Sequence, residues 1–155
     1  SFHPVLASKQ KSNSFYKHSN ITDNIISEKY MLVIVDPNHE KDKFFIEQVI
    51  LPAYPKLNLI ELPDVGHEVL FHINYTKQLK KLILDIVYER YDDVSINSNL
   101  ESPYQYRAIS LKCFNEKDYR KAIYYAGRVL NESVGKSIDK QMIYIINKSL
   151  SKLNL

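Results

Sequence analysis

Two short apolar runs, each stopping at a loop that carries chemistry-bearing side chains, constrain this chain more than any other feature. Residues 30–35 (Tyr30, Met31, Leu32, Val33, Ile34, Val35) end at Asp36-Pro37-Asn38-His39-Glu40-Lys41-Asp42. Residues 57–62 (Leu57, Asn58, Leu59, Ile60, Glu61, Leu62) end at Pro63-Asp64-Val65-Gly66-His67-Glu68. Runs of this length, rich in β-branched residues, read as strands, and an unbroken apolar run is expected where both faces of a parallel sheet are covered. Between them Phe44, Phe45, Gln48, Val49 and Leu51 follow a helical spacing, with Asp42 as a possible N-cap and Pro52 and Pro55 as the stop. After the second run, Tyr75, Leu79, Leu82, Ile83, Ile86 and Val87 recur on one helical face, opposite Lys77, Lys80, Lys81, Asp85 and Glu89. Strand, helix, strand, helix predicts a parallel βαβα unit.

Composition shifts over residues 91–98, with the polar order continuing to Asn99, which reads as a linker, and beyond it the pattern changes. No strand is expected there, and residues 104–114, 118–130 and 137–153 read as three helices. The expected organisation is therefore an α/β domain over residues 1–93 and a helical tail over 94–155, with residues 7–28 as a polar surface loop or lid.

His67 is the leading candidate for chemistry. A Gly-His step after a strand turns the backbone sharply and sets an imidazole at the carboxyl end of the sheet, where open α/β folds place their sites. An acid from the preceding strand's loop would bond Nδ1–H and hold the tautomer in which Nε2 accepts a proton. Asp42 is favoured for that role over Asp36, which the following Pro37 makes a natural turn-stiffening residue; Glu40 is a third choice. No G-x-S-x-G occurs in the sequence, so the nucleophile of such a triad is expected outside it. A metal group of His39, His72 and Asp42 lacks the ligand density that metal sites show, and neither a metal nor a cofactor is expected.

Composition removes several classes. A net charge of +3 with dispersed lysines gives no nucleic-acid footprint. The lone Cys113 excludes an internal disulfide and a multi-Cys zinc site. No apolar run is long enough to span a membrane and no leader-like segment opens the chain, so a cytoplasmic location is expected, and the glycosylation-type sequons at Asn20, Asn74, Asn131 and Asn147 read as coincidental. Ser1 in place of an initiator methionine, and glycine only at 66, 127 and 135, suggest part of a longer protein. A sheet of two or three strands would leave an edge and an apolar face open, which predicts that these residues in isolation fold poorly or self-associate.

Taken together, Phe2-His3-Pro4, the Asp36–Asp42 loop and Pro63-Asp64-Val65-Gly66-His67-Glu68-Val69-Leu70 resemble the last third of an α/β-hydrolase-fold protein. More narrowly they resemble hydrolase-like proteins of bacterial surface-polysaccharide loci, some of which move acetyl groups. The resemblance covers residues 1 to about 90 and implies that Asp42 and His67 are acid and base, that a serine lies upstream of Ser1, and that the substrate is a small-molecule or glycan ester. Residues 118–130 look like the second helix of a tetratricopeptide repeat, with Tyr119, Ala122 and Leu130 matching, Ser110 as the small residue on the first helix, and Ala126 where a large aromatic is usual. The function expected is thus a serine-type hydrolase or O-acyltransferase. A non-catalytic interaction module working through the helical tail is the rival.

Overall fold

A computed structural model describes residues 31–154; the Phe2-His3-Pro4 motif, the 7–28 segment and Tyr30 lie outside them. Strands β1 (Leu32–Val35) and β2 (Asn58–Glu61) pair in parallel, with Leu32 opposite Asn58 and Val35 opposite Glu61. This is the α/β arrangement that the alternation of apolar runs and helix predicts. The register brings both strand ends, and the loops after them, to one edge.

The crossover begins with α1 (Glu40–Phe45), which runs on through a π-helical stretch, Ile46–Ile50, and a last turn at Leu51–Ala53. Its N-cap is His39, whose side chain makes no capping bond, so Asp42 is not the cap but sits in the first helical turn. There its carboxylate is favoured by the positive end of the helix and its side chain is left to bond elsewhere.

The amphipathic run after β2 is not one helix. It divides into α2 (Val69–Tyr75) and α3 (Leu79–Val87). Thr76 turns its hydroxyl back onto the His72 carbonyl, and Lys77 takes a left-handed conformation with φ 61°. Local side-chain bonding of this kind competes with helix continuation. The break rotates α3, so its predicted faces are only partly right: Leu82 is buried, but Ile83 and Val87 are exposed and Asp85 is buried at 4% exposure. Lys81 and Arg90 pair with Asp85 from two sides, which compensates a carboxylate taken out of water.

Leu62, Val65, Val69, Ile73 and Leu82 form the core of this region. The polar stretch expected as a linker joins it. Val94 and Ile96 pack onto that core, and the Gln78 side chain accepts from the Asn97 amide at 2.7 Å.

Three helices follow: α4 (Pro103–Asn115), α5 (Tyr119–Glu132) and α6 (Lys136–Lys152). Ser102 and Asp118 cap the first two, accepting from the Gln105 and Lys121 amides. Small residues let α4 and α5 approach closely. Ser110, Ala122 and Ala126 are fully buried, and the Ser110 hydroxyl donates to the Ala122 carbonyl at 2.9 Å. Val129, Met142 and Ile145 complete the second core, into which Tyr106 and Cys113 also pack. Among the described residues no helix is long and apolar enough to cross a membrane.

Candidate functional site

Asp36 ends β1 and is 2% exposed. Its Oδ1 accepts from the Asn38 amide at 2.8 Å, and its Oδ2 accepts from the Gly66 amide at 2.6 Å. The buried carboxylate thus ties the loop after β1 to the loop after β2. A second tie runs from the Asn38 amide nitrogen Nδ2 to Asp64 Oδ1 at 3.1 Å. Asp36, the alternative acid, therefore does not bond His67; it holds the backbone beside it.

Gly66 is required twice over. Its φ of +65° lies in the left-handed region, and an added Cβ would stand 3.3 Å from the Ala108 side chain on α4. The turn it permits delivers His67 to the Asp42 carboxylate, where Nδ1 and Oδ2 lie 2.8 Å apart. This is the pairing favoured from the sequence. The hydrogen bond that His67 Nδ1–H donates to Asp42 raises the His67 pKa above its ordinary 6.5, the Asp42 charge adds to it, loss of solvent opposes it, and Glu68 contributes least. Glu40, the third choice, is an exposed residue on the same cleft.

The cleft beside this pair has a volume of about 820 Å³. One wall is the two strand-end loops. The other is α4, through Arg107, Ala108, Leu111 and Lys112. Glu68 forms an ion pair with Arg107, whose Nε also donates to Gln141 of α6 at 2.7 Å. The α4 wall was not visible from sequence, because nothing in the Arg107 spacing distinguishes a cleft-facing arginine from a solvated one. No serine, threonine or cysteine lines the cleft among the described residues.

The metal grouping weighed from sequence is regrouped by the fold. His72 sits in α2 at 1% exposure, bonded through Nδ1 to Ser102 Oγ at 2.8 Å, with burial lowering its pKa. His39, Asp42 and His67 instead bring one ligating atom each to within 4.8 Å of one another. His39 Nδ1 lies 3.0 Å from Asp42 Oδ2, yet it is out of line for a hydrogen bond and has no other partner.

Comparison of the chain with protein-family models, with curated proteins and with solved structures finds no match. The functional reading therefore stands on the site itself.

Proposed function

We propose that this chain supplies the acid and base of a serine-type hydrolase or O-acyltransferase acting on a small-molecule or glycan ester. The observation that carries the reading is the 2.8 Å contact between Asp42 Oδ2 and His67 Nδ1, made by the first turn of the helix after one parallel strand and the loop after the other, at one sheet edge beside a cleft. Asp42 fixes the proton on Nδ1, which leaves Nε2 to accept the proton of an attacking hydroxyl. That proton then passes to the leaving alcohol, and water or an acceptor hydroxyl, deprotonated by the same nitrogen, releases the acyl group. The nucleophilic hydroxyl comes to the cleft from outside the described residues. Asp36 is a positioning residue: it holds Gly66, and through it the imidazole.

The test is hydrolysis of an activated acetyl ester by the full-length protein and its His67→Ala variant. The His67 side chain is 79% exposed, so its loss removes little packing and the fold should persist. Loss of turnover with an unchanged circular dichroism spectrum supports the reading. Full turnover in folded His67→Ala overturns it and favours the rival, a module that works through its helices alone.

A further inference from the structure

The His67–Asp42 pair leaves one neighbour unexplained. His39 Nδ1 is buried, lies 3.0 Å from the same carboxylate oxygen that His67 engages, and makes no hydrogen bond. A neutral imidazole offering a lone pair to a carboxylate 3.0 Å away is repelled by it; one offering a misaligned N–H gains little. Something positive between the three groups would resolve the conflict. The two contacts to Asp42 Oδ2, 2.8 Å from His67 Nδ1 and 3.0 Å from His39 Nδ1, are close to the separation of about 3.3 Å between ligands of a tetrahedral ion with bonds near 2.0–2.1 Å. The rings lie with centroids 5.8 Å apart, flanking the carboxylate rather than stacking on each other.

We propose that His39, Asp42 and His67 form a site for a divalent transition-metal ion of the zinc class. Two imidazoles and one carboxylate suit zinc, nickel or copper and not magnesium or calcium, which take oxygen ligands. Three protein ligands leave a fourth position for water. This goes beyond the acid–base reading, and where both hold, the two occupants exclude one another. A metal on His67 Nδ1 leaves the single ring proton on Nε2, so the atom that must accept a proton becomes a donor. Binding to neutral His67 moves that proton within the ring; binding to the imidazolium releases one proton to solvent. Zinc would therefore be an inhibitor of the proposed chemistry, not its agent.

The experiment is a cobalt(II) titration of the untagged full-length protein without substrate, followed by visible absorption and calorimetry. One cobalt per chain with the intense visible bands of low coordination number is the result expected. His39→Ala and His67→Ala, both changes at partly or largely exposed side chains, should each weaken binding roughly 100-fold or more, at least as much as losing an outer-shell partner costs. Absence of one-to-one binding at millimolar cobalt(II), or undiminished binding in either variant, overturns the proposal. The two readings fail separately. Cobalt binding with no esterase activity removes the acid–base reading alone, and esterase activity lost in His67→Ala with no cobalt binding removes the metal site alone.

Discussion

The strand-end region and the three-helix region bury their residues to different ends. In the helices the fully buried positions are apolar or small: Ala122, Ala126, Val129 and Met142 are 0% exposed. Around the sheet the buried set includes Asp36, His72 and Asp85, each tied by named partners, while Phe71, Ile83, Val87 and Tyr88 stand exposed. One region spends its interior on packing, the other on fixing polar groups in place. Buried polar groups held by specific partners pin down one arrangement; His72 is held through Nδ1 alone, its Nε2 having no hydrogen-bond partner among the described residues.

The sharpest way to break this comparison is Asp42→Asn. If the proposed acid–base reading holds, loss of the favoured tautomer should lower kcat on the order of 10⁴, with little change in melting temperature, because the residue's role is directional. An equal loss of stability would place Asp42 with the structural residues. Met142→Ala should do the reverse, destabilising the fold by about 2–5 kcal/mol through a cavity in the helical core, measured by urea unfolding. Asp36→Asn lies between: Gly66 N–H would face an amide nitrogen where it now meets a carboxylate oxygen, a loss of about 1–3 kcal/mol together with reduced turnover. Catalytic loss in Asp36→Asn but not in Asp42→Asn would transfer the acid's role to Asp36.

The buried histidine gives a pH signature. Burial places the folded-state pKa of His72 below 6.5, so the folded form resists protonation. Stability on this account is intact above pH 6.5 and declines as pH falls through the folded value. The decline should be shallower in His72→Gln, compared by melting temperatures across the acid range; an unchanged slope would show that His72 does not govern it. The smallest effect is expected at Val87, which is 66% exposed: Val87→Ala should stay within about 0.5 kcal/mol. A larger loss would show that a neighbouring surface covers α3.

The parallel pair and the three helices were legible in the sequence because period and capping are local signals. So was His67 with Asp42, since two strand-end loops of a parallel pair must share an edge. The break at Thr76-Lys77 was not, because its cause is a threonine hydroxyl that prefers the His72 carbonyl to solvent and a lysine held at positive φ. Nor was the burial of Asp85: a carboxylate on a lysine-flanked face reads as solvated until Arg90 is seen to reach it. The role of Asp36 followed the same rule. Its partner is the amide of Gly66, thirty positions on, and a backbone donor leaves no mark in a side-chain pattern.

The near approach of Ala108 to Gly66 has a consequence of its own. These two small residues set how far α4 stands from the histidine's turn, and so act as a gauge for the mouth between them. A larger side chain at position 108 would alter that mouth while leaving both strand-end loops bonded through Asp36. The mouth would change shape without disturbing the His67–Asp42 contact. On the proposed ester-cleaving reading, Ala108→Leu, at a position that lines the cleft, should change which acyl sizes are accepted while leaving the His67–Asp42 contact in place.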